Sequence, residues 1–246
     1  MTNETGTDPQ ARPEARPDAG PELEIVLVRH GESKANLKPG TPEHAVPQTD
    51  GDHLIPLTEE GRRQARDRGR ALGADFIRDA LVYRSPYVRT RQTLAGILEG
   101  AGLTEDDIRI FEDPRLREME HGFVGDWKTV EDQDGLRDIH GRFFYRFHTG
   151  ESPADCYDRV STFLESMMRQ VERKRKKRVL VVSHGLTIRC FAMRFFHLPH
   201  EVFDRMANPN NCEQIRIAAR GTFEPAPFPE LPPSSRWVIE GLRERA

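Results

Sequence analysis

Ile25-Val26-Leu27-Val28-Arg29-His30-Gly31-Glu32 and Val179-Leu180-Val181-Val182-Ser183-His184-Gly185-Leu186 share one construction. Each opens with four apolar, largely β-branched residues, the pattern of a short strand buried on both faces, and then delivers a histidine and a glycine. In open α/β sheets, ligands bind beyond the carboxyl ends of the strands. Neighbouring strands lie about 4.8 Å apart, so two such ends can flank one small group with two imidazoles. A glycine after each histidine lets backbone N–H groups approach a ligand closely. One His-Gly pair alone reads as a polar residue finishing a strand. Its repetition makes the two histidines a candidate site.

Outward from these segments, strands alternate with helices. Leu23–Val28, Ala80–Tyr83, Ile108–Phe111, Val179–Val182 and Ile215–Ala218 read as strands. Thr58–Ala74 reads as a helix capped by Thr58, with Glu59 and Glu60 in its first turn. A second helix runs from a Ser85-Pro86 cap to about Gly100. Pro153–Lys174 carries Val160, Phe163, Leu164, Met167 and Val171 at helical spacing, and Leu186–Phe196 forms another helix. The alternation predicts an α/β fold, a three-layer α/β/α sandwich with a mainly parallel sheet. Residues 1–22 hold four prolines and almost no large apolar side chains, and read as a disordered tail. Residues 23–221 read as one domain, and 222–246 as a proline-rich tail in which Trp237, Val238, Ile239 and Leu242 form a short docking helix. The loop Leu37–Pro56 is long enough to be functional or disordered.

The chain has 246 residues, with 37 Lys+Arg against 40 Asp+Glu and a net charge of -3. That balance argues against nucleic acid as a partner. No apolar run approaches the roughly 20 residues that span a bilayer, and the polar N-terminus predicts no secretory leader. Cys156, Cys190 and Cys212 are too few and too scattered for a disulfide framework or a zinc ribbon, which suits a cytoplasmic setting. The sequence therefore predicts a cytoplasmic enzyme with no membrane association. Trp237 and its neighbours could dock in cis or across a homo-oligomer.

Two further elements carry chemistry. In Ser85-Pro86-Tyr87-Val88-Arg89-Thr90-Arg91-Gln92-Thr93, Arg89 and Thr93 lie one turn apart at a helix N-terminus, a natural anion site. In Arg115-Leu116-Arg117-Glu118, the carboxyl is either a salt-bridge partner or, beside a bound phosphate dianion, a proton donor to a leaving oxygen.

These motifs resemble those of the histidine phosphatase superfamily, in its phosphoglycerate-mutase-like branch. Arg29-His30-Gly31-Glu32 with Asn36, Leu57-Thr58-Glu59-Glu60-Gly61-Arg62-Arg63-Gln64-Ala65, Ser85 to Thr93, Leu116-Arg117-Glu118 and Ser183-His184-Gly185 follow the family's order over roughly residues 24–218. The resemblance implies catalytic roles for His30 as the nucleophile forming a phosphohistidine and Glu118 as the proton donor. It implies that Arg29, Arg89 and His184 hold the phosphoryl oxygens of a small phosphorylated substrate, with Asn36 and Gly185 assisting. No cofactor and no metal is expected, because the arginines and His184 supply the electrostatics.

Phosphatase and mutase share that intermediate and differ in the acceptor. Family mutases carry a long insertion between the proton donor and a later Gly-Glu-Ser. Here Glu118 precedes Gly150-Glu151-Ser152 by only 32 residues. Asp52-His53-Leu54-Ile55-Pro56-Leu57-Thr58 and the aromatic, Arg-containing stretch His140–Thr149 resemble the broad-range acid phosphatase subgroup. Hydrolysis of phosphomonoesters is the expected activity, with 2,3-bisphosphoglycerate-dependent phosphoglycerate mutase as the alternative. A non-catalytic phosphoprotein-binding regulator is a distant one, since His30, Glu118 and His184 all stand.

Other signals fall away. The residues six after the three cysteines are Thr162, Phe196 and Ala218, so no Cys-x5-Arg phosphatase motif exists. Asp132-Gln133-Asp134-Gly135 does not follow an apolar strand. The basic run 173–178 complements the dipole at a helix C-terminus. His30, His184 and His121 lack the spacing of a metal hydrolase.

Overall fold

The computed structural model describes residues 23–122 and 127–245. The expected N-terminal tail lies outside them. The strands are β1 Glu24–Arg29, β2 Ala80–Arg84, β3 Ile110–Glu112, β4 Arg178–Ser183, β5 Gln214–Ala219 and β6 Trp237–Glu240. The helices are α1 Pro47–Asp50, α2 Glu59–Leu72, α3 Ala74–Asp79, α4 Val88–Gly100, α5 Trp127–His140, α6 Pro153–Lys174, α7 Gly185–Phe196 and α8 Glu201–Arg205. The strands form one sheet in the order β3-β2-β4-β1-β5-β6. β3, β2, β4 and β1 pair in parallel, while β5 and β6 join antiparallel, so the sheet is mainly parallel as expected.

Alternation along the strands makes two cores. Ile25, Leu27, Leu81, Tyr83, Val179 and Val181 pack with Phe163 and Met167 of α6 and Ile188 and Phe191 of α7. Val26, Val28, Val82, Leu180 and Val182 pack with Ile77 of α3 and Leu94, Ile97 and Leu98 of α4 on the other face. Both faces of β1 and β4 are covered, which is why their sequences are continuously apolar.

α2 has almost no large apolar residues, and its buried positions are Gly61, Ala65 and Gly69. It is held by close backbone approach to α4. A Cβ on Gly69 would stand 2.0 Å from the Ile97 carbonyl oxygen, and one on Gly100 would stand 2.0 Å from that of Arg66. Gly73, with φ at +77°, ends α2 and starts α3, a short helix that lies beyond the one read in the sequence. α6 opens as its sequence suggests: Ser152 Oγ accepts from the Asp155 N–H at 3.1 Å, and Asp155 Oδ2 accepts from the Ser152 N–H at 2.7 Å.

Two expectations are corrected. Residues 237–240 form an edge strand rather than a docking helix: Ile239 joins the α6–α7 core while Val238 is buried on the opposite face. Arg216 of β5 links this edge to β1, donating to Glu24 at 2.8–2.9 Å and to Glu240 at 2.6 Å. The alternating β-branched pair finds a sheet edge, and tertiary pairing overrides a loose helical reading. Ser85 is not the cap of α4, because Tyr87 occupies that position and Pro86 precedes the helix.

Gly69→Ala is expected to destabilise the protein by roughly 1–3 kcal/mol, despite a helix-propensity gain of about 1 kcal/mol, because a backbone carbonyl cannot rotate out of the way. A urea midpoint equal to or above that of the parent protein would contradict the close-approach account of α2.

Candidate active site

The parallel register of β1 and β4 pairs Arg29 with Ser183. The His30 N–H then donates to the Ser183 carbonyl at 2.9 Å. The next residue of each strand is a histidine, and the His30 and His184 rings meet edge to face with centroids 5.3 Å apart. β2 runs in step with β4: Arg84 pairs with Val182, and the Ser85 N–H donates to the Val182 carbonyl at 3.1 Å. Ser85 Oγ consequently sits 2.8 Å from His184 Nε2, and the Tyr87 ring packs edge-on against His184 at 5.0 Å.

His30 is nearly fully buried. Its Nδ1 lies 2.7 Å from the Gly31 carbonyl oxygen, which can only accept. Nδ1 therefore carries the proton, and Nε2 is left with its lone pair. Burial first, then the charges of Arg89 and Arg29, push the His30 pKa well below 6.5, while the Gly31 carbonyl pulls the other way. His184 is depressed in the same direction, by burial and then by Arg89, His30, Arg159 and Arg29. Both imidazoles are neutral at pH 7.

Arg29 Nη1 donates to the Pro209 carbonyl at 2.6 Å. Burial draws this guanidinium below its ordinary pKa, opposed by the Glu118 carboxylate. Its Nε and the Nδ1 of His184 are buried with no hydrogen-bond partner. An unpaired buried polar atom costs about 1–3 kcal/mol, so two at one site call for a ligand that satisfies both. An oxyanion does so for Arg29 outright, and for His184 when Ser85 donates to Nε2 and Nδ1 holds the proton.

Arg89 is buried in the first turn of α4. Thr93 Oγ1 donates to the Arg89 carbonyl at 2.6 Å and accepts from the Gly31 N–H at 3.0 Å. The Gly31 amide is thus spent on Thr93 rather than offered to a ligand. Gly31 is needed for another reason: a Cβ there would stand 2.5 Å from the Gly61 carbonyl oxygen. Gly185, by contrast, is the first residue of α7, where helix geometry leaves N–H groups unpaired. Asn36 accepts at Oδ1 from the Ser33 N–H at 3.0 Å and from Asn211 Nδ2 at 3.2 Å, which leaves its amide nitrogen as the donor end. Asn211 also donates to the His30 carbonyl at 3.3 Å.

The Glu118 segment is clamped from three sides. Ser183 Oγ donates to the Leu116 carbonyl at 2.8 Å. Arg159 Nη1 donates to the Arg115 and Arg117 carbonyls at 2.7 and 2.9 Å, and Thr187 Oγ1 to the Arg117 carbonyl at 2.7 Å. Arg159 is itself held by Glu151, at 3.0 and 3.1 Å. Glu118 Oε1 accepts from the Met119 N–H at 3.0 Å, with Thr187 Oγ1 at 3.4 Å. Sequence reasoning named His30, His184, Arg29, Arg89, Glu118, Asn36 and Gly185. It assigned no role to Asp52, Arg159, Thr187 or Asn211, whose partners are distant in the chain. Gly150-Glu151-Ser152, in sequence the end of a spacer, holds the anchor of Arg159 in Glu151. In the His140–Thr149 stretch, Phe143 and Phe147 are buried while Phe144 stays exposed. Among the described residues, no three His, Cys, Asp or Glu side chains gather as a metal-ligand group.

The family model described as histidine phosphatase superfamily (branch 1) matches residues 25–223. The chain belongs to this superfamily. It is 40% identical over 219 residues to the phosphoglycerate mutase-like protein AT74H of Arabidopsis thaliana, covering 81% of this chain and 75% of that protein. It is 28% identical over 285 residues to the broad-range acid phosphatase DET1 of Saccharomyces cerevisiae, covering 78% and 84%. In fold it is similar to a mycobacterial glucosyl-3-phosphoglycerate phosphatase complexed with VO3, with TM-score 0.63, 22% identity and 89% and 98% coverage. It is also similar to YhfR of Bacillus stearothermophilus, with TM-score 0.60, 26% identity and 81% and 92% coverage.

The buried histidines of this histidine phosphatase domain link its stability to pH. The unfolded chain takes up protons on these imidazoles as pH falls below about 6.5, and the native protein does not. Their contribution is complete above that pH and is lost as pH drops further. Tm is expected to fall between pH 6.5 and 5, and to fall less steeply in His184→Gln. Equal slopes would show that His184 is not held neutral.

Proposed function

We propose that the protein is a phosphatase that hydrolyses phosphomonoesters through a phosphohistidine on His30. One observation carries this reading: the Nδ1–H of His30 is committed to the Gly31 carbonyl, so a buried, neutral imidazole keeps its Nε2 lone pair among Arg29, Arg89 and His184. Nε2 attacks phosphorus in line, and the bond from phosphorus to the ester oxygen breaks. The hydrogen bond from Nδ1 to Gly31 steadies the positive charge that the ring acquires. Arg29, Arg89 and His184 hold the phosphoryl oxygens, with Asn36 and the Gly185 N–H beside them. Glu118 gives its proton to the departing oxygen, then as carboxylate takes one from the water that attacks the phosphohistidine. Phosphate leaves, and both residues return to their starting states. This sequence has no step for a metal.

The substrate is a small phosphorylated molecule. The Asp52–Thr58 motif and the yeast relative's name support hydrolysis. The Arabidopsis relative's name keeps the mutase alternative in view. No described helix is long and apolar enough to cross a membrane. The three cysteines are free and buried, which suits a reducing cytoplasm.

His30→Ala is expected to lower turnover by about 10³-fold or more while leaving Tm near that of the parent protein. Brief incubation of the parent protein with radiolabelled substrate should trap an acid-labile, base-stable phosphoprotein that His30→Ala does not form. Near-parental activity in that variant would refute the mechanism. In a panel of phosphomonoesters, free phosphate is the expected product. Migration of phosphate on 3-phosphoglycerate, dependent on 2,3-bisphosphoglycerate and without release, would select the mutase.

Glu118→Gln is expected to cost roughly 10²–10⁴-fold with alkyl phosphates, whose leaving oxygens need a proton. The loss should be far smaller for formation of the phosphoenzyme from p-nitrophenyl phosphate, a good leaving group. Equal losses for both would remove Glu118 as proton donor.

A further inference from the structure

Arg89 is almost wholly buried, yet three of its hydrogen bonds go to one residue of the long loop before α2. Its Nη1 donates to the Asp52 carbonyl at 2.6 Å and to Asp52 Oδ1 at 2.8 Å, and its Nη2 donates to Asp52 Oδ2 at 3.2 Å. A guanidinium has five N–H donors in a rigid plane. Asp52 takes both hydrogens of Nη1 and one of Nη2, which is the whole far edge of the fork. The Nε–H and the second Nη2 hydrogen remain. These two lie side by side on the other edge, with the spacing that two oxygens of a phosphoryl group accept.

The loop holding Asp52 is seated rather than loose. The Leu57 N–H donates to Gln92 Oε1 of α4 at 2.8 Å, and the His53 ring meets Tyr87 at 6.4 Å. The Tyr87 ring also lies 4.8 Å under the Arg89 guanidinium. The guanidinium is therefore fixed in plane by the carboxylate and in height by the ring.

We infer that Asp52 is the positioning residue of the phosphoryl site, presetting Arg89 so that its Nε–Nη2 edge faces the substrate. Asp52 does not touch the phosphoryl group. It removes the rotational freedom that a long side chain otherwise loses on binding, and leaves Arg89 only one edge to offer. This rests on Arg89 being a phosphoryl ligand, as proposed above.

Calorimetric binding of inorganic phosphate tests the inference in the parent protein, Asp52→Asn, Asp52→Ala, Arg89→Ala and Asp52→Asn/Arg89→Ala, with Tm recorded for each. Asp52→Asn keeps the side-chain shape, so folding is preserved if Ala disturbs the loop. Both Asp52 variants are expected to weaken phosphate about tenfold and to raise KM for p-nitrophenyl phosphate in parallel. In the Arg89→Ala background, Asp52→Asn should cause no further loss and should recover some affinity, because it removes a carboxylate that no longer has a partner. Unchanged or tighter phosphate binding in the single Asp52 variants would overturn the inference, the tighter case making Asp52 a competitor for Arg89. An equal loss in both backgrounds would also overturn it, since Asp52 would then act through the loop alone. Parental phosphate affinity in Arg89→Ala would instead refute the site reading beneath it.

Discussion

The in-step parallel register of β1 and β4 is the constraint on which the site depends. Pairing Arg29 with Ser183 makes the two following residues, His30 and His184, neighbours at the carboxyl ends of two central strands. Side chains alternate between faces along a strand, so a slip of β1 by one residue would turn Ile25 and Leu27 away from the core they share with Val179 and Val181. The two apolar cores therefore lock the register, and the register sets the distance between the imidazoles. β2 is locked to β4 in the same way and delivers Ser85 to His184. Hydrophobic burial in the middle of the sheet thus fixes polar geometry at its end.

Electrostatics then follows from where these side chains are put. Two buried imidazoles beside two guanidinium groups lose affinity for protons, so both are neutral. Backbone carbonyls do much of the orienting: Gly31 sets the tautomer of His30, Pro209 holds Arg29, and the carbonyls of Arg115 and Arg117 anchor the chain around Glu118. A carbonyl on a packed strand or turn has no rotamer to lose, which makes it a cheap and exact template. Two carboxylates each hold a guanidinium, Asp52 that of Arg89 and Glu151 that of Arg159.

Helix α2 illustrates the same economy on the outer layer. It contributes few apolar contacts to the core, and small residues let its backbone sit against α4 and against the loop after β1. Gly61 in particular lies against Glu32, next to the His30-Gly31 turn, so the placement of α2 bears on the site as well as on stability.

The sequence alone determined the α/β class and the strands that carry the histidines, because apolar runs and His-Gly ends are local signals, and its motif order supplied seven candidate site residues. It could not reveal that Trp237–Glu240 is a strand, since only the open edge of β5 supplies the hydrogen bonds that make it one. Nor could it show that Ser85 serves His184 rather than capping α4, or that Asp52, 37 residues before Arg89 in the chain, takes one edge of its guanidinium. Such roles belong to pairs, and a pair distant in sequence exists only after the sheet register and the helix packing have brought its members together.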